Sequence, residues 1–250
     1  MKNPLAKVTV VFPALNEEKN IGGALDSLLI QEKKPAQIIF VNHNSQDKTL
    51  EIAESFIKKF LIYGVDFKII TEKKKGISNA RNAGCSKANQ PIIASMDTDC
   101  RPSDQWVKVI EEVFAKEKKI DALAGKVIFF DGSFFGRKVS EWGYYAFFYS
   151  WMKLFTGFHP FTTANAAFRT SVYKKIGGFD ATIVSIHGLD DVDLAGRMSN
   201  GDNIRYEKRM TVYASSRRYK DFFKMVPDMI QRFKSLLKIT RKYKQRKKIF

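Results

Sequence analysis

Short apolar runs alternate with amphipathic stretches through the first half of this chain, and that rhythm constrains its fold more than any other feature. KVTVVFPA reads as a buried strand. NEEKNIGGALDSLLIQ follows as a helix, with Asn16 placed to cap it and Ile21, Leu25, Leu28 and Leu29 on one face. AQIIFVN, DFKIIT and PIIASM read as further strands, separated by SQDKTLEIAESFIKKF and GISNARNAGCSKA as helices. SDQWVKVIEEVFAKE is then a helix and DALAGKVIFF another strand. Strands and helices in strict alternation need parallel strands joined by helical crossovers. The expected class is therefore α/β, a mostly parallel sheet flanked by helices. Such sheets bind ligands beyond the carboxyl ends of their strands. Here those ends are Pro13 to Glu17, Asn42 to Asp47, Thr71 to Gly76 and Asp97 to Asp99.

After about residue 132 the rhythm breaks. Residues 142–161 are dense in aromatics, and past Glu141 they hold no acid. FTTANAAF reads as a strand, SVYKKIGGF as a short helix closing on Gly177 and Gly178, GLDDVDLAGRMSNG as a helix with acids at its start, and NIRYEKRMTVYA as a last strand. A chain of 250 residues is the size of one large domain. The expected division is a body over residues 1–215, split near 130/131, and a tail over 216–250.

The tail stands apart by charge. From Arg217 onward there are 13 Lys/Arg and 2 Asp/Glu, so +11 of the net +17 lies there. Within it, PDMIQRFKSLLKITRKYKQRKKIF begins with Pro227, suited to a first helical position. Met229, Ile230, Phe233, Leu236 and Leu237 mark one face, and Arg232, Lys234, Lys238, Arg241 and Lys242 fall mostly elsewhere. A basic amphipathic helix of this kind suits an anionic membrane surface. The plainer alternative is a helix packed on the body with a solvated basic end. No nucleic-acid partner is expected, because no recognised binding fold accompanies the charge.

The N-terminal apolar stretch is short and runs straight into acids, unlike a signal peptide. WGYYAFFYSWM, Trp142 to Met152, is too short to span a bilayer as a helix, which takes about 20 residues. A soluble or peripheral cytoplasmic protein is expected. Two cysteines, Cys85 and Cys100, and three histidines are too few ligands for a structural zinc site of the usual kind. The thiols are expected to be free.

Two acidic motifs carry the chemistry. Asp97–Thr98–Asp99 ends an apolar strand in two carboxylates. These can hold Mg²⁺ or Mn²⁺ while leaving positions open for phosphate oxygens. A cation there neutralises a diphosphate leaving group. The structural alternative is a turn in which one acid caps the helix starting near Pro102. Asp190, Asp191 and Asp193 form the second cluster. One carboxylate beside another is a better proton acceptor near neutral pH, which suits a general base. The alternative is plain complementarity to a helix N-terminus. Phosphate-cradling glycine loops, G-x-S-x-G and C-x-x-C are all missing, and His43, His159 and His187 are isolated.

VTVVFPALNEEKNIGGALDSLL, IIFVNHNSQDKTLEIA, KGISNARNAG, IIASMDTDCRPSDQWV, NAAFRTSVYKKIGGFD and GLDDVDLAGRM occur in the order seen in family 2 glycosyltransferases. The chain resembles that family over roughly residues 7–200. The resemblance implies the GT-A fold, with the body as catalytic domain: residues 1–130 its nucleotide-sugar half and 131–215 its acceptor half. It also implies an inverting transfer of sugar from a nucleotide-diphospho-sugar, UDP- or GDP-linked, to a hydroxyl of a lipid-linked or surface-glycan acceptor. By position, Pro13, Ala14 and Glu17 resemble the first nucleotide-contacting loop, and Arg81 the arginine near base and phosphates. Asp99 resembles the direct metal ligand, with Asp97 nearer the ribose and metal. Asp191 resembles the catalytic base, with Asp190 standing where the family usually has Glu.

Asn42 stands where the family usually has an Asp that accepts a hydrogen bond from the base. An amide can also donate and carries no charge, so a cytidine donor also enters consideration. The lack of Q-x-x-R-W after the acidic cluster fits a single transfer rather than polymerisation. Trp142 and Trp151 in the aromatic segment, with Asn165 beyond it, are the acceptor-side candidates, since aromatic faces stack on sugars. Plain packing of the aromatics is the alternative. The rival class of function is a non-catalytic basic protein that binds membranes or polyanions on a nucleotide-binding scaffold.

Overall fold

The computed structural model describes residues 4–131, 153–154, 157–183, 189–198 and 203–217. In chain order its elements are β1 (Ala6–Ala14), α1 (Ile21–Leu29), β2 (Pro35–Asn42), α2 (Thr49–Glu54), α3 (Ile57–Ile62), β3 (Asp66–Thr71), α4 (Ile77–Ser86), β4 (Ile92–Met96), β5 (Cys100–Pro102), α5 (Trp106–Lys116), β6 (Ala122–Phe129), β7 (Asn165–Arg169), α6 (Thr170–Lys175), α7 (Leu189–Met198) and β8 (Ile204–Ala214). The eight strands form one sheet in the order β3-β2-β1-β4-β7-β6-β8-β5.

The first four strands pair in parallel, as their helical crossovers require. β1 is central and buried along almost its whole length, which is why its sequence is apolar rather than alternating. Val10 and Phe12 point to one face, under α1 and α5, with Leu25, Leu28, Trp106 and Ile110. Val11 points to the other face, with Ile39, Val41, Phe168 and Leu194. Beyond β4 the sheet is mixed. β7 runs antiparallel between β4 and β6, and β8 lies parallel to β6 and antiparallel to β5.

Local sequence misplaces some boundaries. Asn16 does not cap α1, which starts at Ile21. Asn16 takes a left-handed conformation, φ 55°, and its Oδ1 accepts the Gln46 N–H at 2.8 Å. The Glu17 N–H donates to Thr49 Oγ1 and the Glu18 N–H to Asp47, so the β1 and β2 end loops are laced together. The long second helix is two short ones, α2 and α3, broken where the Phe56 N–H turns back to the Ala53 carbonyl. The stretch after Asp99 forms β5 before α5 begins at Trp106. No side chain caps α5, so neither Asp97 nor Asp99 serves that structural role.

One glycine sets the height of α4 above the sheet. A Cβ on Gly84 would lie 2.5 Å from a Val11 methyl and 2.8 Å from a Val41 methyl. Both are stiff β-branched side chains, so only glycine lets α4 approach this closely. That approach brings Arg81, one turn earlier, down to the carboxyl edge of the sheet.

Candidate active site

The predicted ligand edge is present as a continuous ridge. Ala14 is in register with Asn42, and Asn42 with Thr71. Thr98 Oγ1 donates to the Pro13 carbonyl at 2.7 Å, tying the turn between Asp97 and Asp99 onto the end of β1. Asp97 and Asp99 therefore leave the sheet beside the first loop.

Arg81 joins this edge to the second acidic cluster. Its Nη1 donates to Asp190 Oδ2 at 2.6 Å, and its Nη2 to Asp97 Oδ1 at 3.3 Å. The two acids come from chain segments far apart in sequence, one past β4 and one in the first turn of α7. Asp190 is fully buried and also accepts the Ser78 hydroxyl at 3.2 Å. A carboxylate so deep needs a charged partner. Arg81 supplies it, and its own Nε is buried without a hydrogen-bond partner.

Asp191 lies beside this pair at 7% exposure. Its Oδ2 accepts the Thr163 N–H at 3.3 Å and its Oδ1 the Val192 N–H at 2.9 Å. Burial, followed by the negative charge of Asp190, pushes its pKa up to about 7, against a smaller lowering by Arg81 and the two N–H donors. Near neutral pH this carboxyl can both take and give a proton. Asp193 also faces inward and pairs with Arg197 at 2.7 Å, an i,i+4 contact within α7.

Glu17 and Asp99 meet through a residue outside every motif. Arg217 Nη2 lies 2.5 Å from Glu17 Oε1, and Arg217 Nε donates to Asp99 Oδ2 at 3.2 Å. No sequence signal singled it out from the thirteen basic residues that begin with it. Ser78 was equally invisible, as one small polar residue on an ordinary helix. The fit to a divalent ion rests on donor chemistry. Asp97 and Asp99 offer only hard carboxylate oxygens, at an edge where a cationic guanidinium already sits on Asp99. That is what Mg²⁺ or Mn²⁺ accepts when a substrate supplies the remaining oxygens.

Residues 9–177 match the family model for Glycosyl transferase family 2. The chain belongs to that family. The probable glycosyltransferase YdaM of Bacillus subtilis (strain 168) is 30% identical over 218 residues, 81% of this chain and 49% of the relative. Glycosyltransferase AglE of Haloferax volcanii is 32% identical over 110 residues, 43% of this chain and 35% of the relative. This family 2 chain thus spans about half or less of the curated relatives it matches. Among solved structures, mannosyltransferase PcManGT from Pyrobaculum calidifontis, in complex with GDP-Man and Mn²⁺, superposes with TM-score 0.67 at 18% identity, covering 95% of this chain and 66% of that one. The two folds are the same GT-A arrangement, an α/β sheet flanked by helices.

Asn165, one of the acceptor-side candidates, sits inside the sheet. It is fully buried, and its Oδ1 accepts the Trp106 indole N–H at 2.8 Å. Its Nδ2 donates to the Lys126 and Met210 carbonyls at 2.7 and 2.9 Å. These bonds let Asn165 clamp β6, β7 and β8 together. Phe158 and Phe161, from the aromatic segment, are core residues, and Phe161 stacks on Phe168. Trp142, Trp151 and His187 lie outside the described residues. So do Phe233, Leu237, Lys238, Arg241 and Lys242, with the amphipathic helix expected there. Among the described residues no helix is long and apolar enough to cross a membrane. Cys85 and Cys100 are buried, and burial pushes the Cys85 thiol up to about 12, so it is no nucleophile at neutral pH.

Proposed function

We propose that this chain moves a single sugar from a nucleotide-diphospho-sugar to a hydroxyl of a lipid-linked or surface-glycan acceptor, with inversion and with Asp191 as general base. The observation that carries this reading is the Arg81 bridge. One side chain touches both Asp97 and Asp190, so two acidic motifs far apart in sequence serve one site.

Asp97 and Asp99 would hold a divalent ion, which would neutralise charge on the departing diphosphate. The Mn²⁺ and GDP-Man bound by the Pyrobaculum mannosyltransferase support that choice of ion and donor class. The remaining work falls to protein groups. Ionised Asp191 takes the proton from the acceptor hydroxyl. The hydroxyl oxygen forms its bond to C1 as the bond from C1 to the diphosphate oxygen breaks on the opposite side. Arg81 and Ser78 fix Asp190, and Asp190 in turn sets the charge beside Asp191. Asn42 lies at the end of β2 with its Oδ1 accepting the Ser45 N–H at 3.0 Å. Its Oδ1 keeps a second lone pair and its Nδ2 can donate, so it could offer a nucleobase either partner where the family's usual ionised Asp only accepts.

The pH–rate profile tests the base. Asp191 is raised from an ordinary carboxylate value to about 7, so it is protonated and inactive below neutrality. Transfer should therefore rise roughly tenfold per pH unit on the acid side and level off above about 7. Initial rates of nucleoside diphosphate release across neutrality measure this. A profile that is flat through neutral pH would remove Asp191 from the role.

A further inference from the structure

The acids at the strand ends already carry cations from the protein itself, Arg81 on Asp97 and Arg217 on Glu17 and Asp99. β8 ends at Ala214, and the next three residues fold back across the edge. The Ser215 N–H donates to the Asp99 carbonyl at 3.2 Å, and the Ser215 hydroxyl to Asp131 Oδ2 at 2.8 Å. The Ser216 N–H also donates to Asp131, and the Arg217 N–H to Ser215 Oγ. The chain after β8 is thus held between Asp99 on one side and Asp131 on the other before the Arg217 side chain begins. The guanidinium then bridges two carboxylates, Glu17 and Asp99.

We propose that Arg217 is the resident cation of the donor edge, which a divalent ion must displace from Asp99. The proposal rests on the reading of Asp99 as an ion ligand. Arg217 Nε and Nη2 both lie 3.2 Å from Asp99 Oδ2. An ion bound to that oxygen would compete with the guanidinium for the same lone pairs. A guanidinium never loses its charge, so the two cations also repel each other.

The two arginines of the edge differ in the way this exchange needs. Arg81 is buried with its fully buried partner Asp190, so that pair is costly to break. Arg217 is 39% exposed, and ion pairs at such positions are weak enough to be exchanged. Arg217 therefore offsets part of the charge of Glu17 and Asp99 and holds both in position. It gives up Asp99 when the ion arrives with its donor.

The test is Mn²⁺ binding to the full-length chain without nucleotide, read as free Mn²⁺ by electron paramagnetic resonance. Arg217→Gln should bind Mn²⁺ about two- to fivefold more tightly than wild type, the effect of losing one partly exposed ion-pair competitor. Arg217→Lys keeps a cation and should stay near wild type. Asp99→Asn, alone or combined with Arg217→Gln, should lose the site. Equal or weaker Mn²⁺ binding by Arg217→Gln overturns the proposal while leaving Asp99 as a ligand. If none of the proteins binds Mn²⁺, the ion-ligand reading of Asp99 falls and this proposal falls with it.

Discussion

Asp191→Asn is expected to leave a folded, donor-binding protein whose transfer rate has dropped by about 10²–10⁴-fold, the usual contribution of a positioned general base. The amide keeps the shape of the carboxyl, but its one oxygen can accept only one of the Thr163 and Val192 N–H groups, which the carboxylate takes on separate oxygens. It has no lone pair basic enough to take the acceptor proton. The substitution should cost folding little beyond that one hydrogen bond, about 1 kcal/mol. Burial already raises the Asp191 pKa, so the folded state favours the protonated form there. For an acid shifted upward, that preference stabilises the fold below the unfolded pKa and is lost as pH rises through about 7. A neutral amide is thus at no electrostatic disadvantage at neutral pH. Nucleoside diphosphate release and donor affinity, measured on the same preparation, separate the two properties. Loss of donor binding together with turnover would place Asp191 on the donor rather than the acceptor.

Arg81→Ala should be the most damaging single change to stability. It removes the guanidinium that sits 2.6 Å from Asp190 and leaves a carboxylate of zero exposure without its cation. Breaking a buried pair from one side typically costs about 3–5 kcal/mol. That is a large share of the roughly 5–15 kcal/mol that holds a domain together. The urea midpoint should fall accordingly. The pairwise origin is testable in a cycle: Arg81→Gln combined with Asp190→Asn should be less destabilised than Arg81→Gln alone, because the stranded charge is gone. Arg81 also lowers the Asp191 pKa, so any residual transfer in the variant should need higher pH. Additive losses in the cycle would mean that the two residues act separately.

The parts legible in the sequence are those that local chemistry decides. β1 to β4 were readable because strands covered on both faces must be apolar throughout, and their parallel pairing followed from the helices between them. Asp97 and Asp99 stood out because an apolar strand rarely ends in two acids, whereas Asp190 and Asp191, ordinary at a helix start, stood out only as a second acidic cluster. What stayed hidden is non-local. Nothing near Asn165 reveals that Trp106 and Met210 will claim its amide. The start of α1 shifts because Gln46 draws Asn16 into a left-handed turn. The insertion of β7 between β4 and β6, the Arg81 bridge and the reach of Arg217 back to Glu17 all depend on segments that meet only in the folded chain.

The central claim is that the acids at the end of β4 seat the diphosphate of a nucleotide-sugar through a divalent ion. Calorimetric titration of UDP-, GDP- and CDP-sugars, with Mn²⁺ and with chelator, tests it most directly. The account predicts that at least one of these donors binds with Mn²⁺ and loses at least tenfold in affinity with chelator or in Asp99→Asn, while Asp191→Asn binds like wild type. Donor binding that is indifferent to Mn²⁺ and to Asp99→Asn would contradict it.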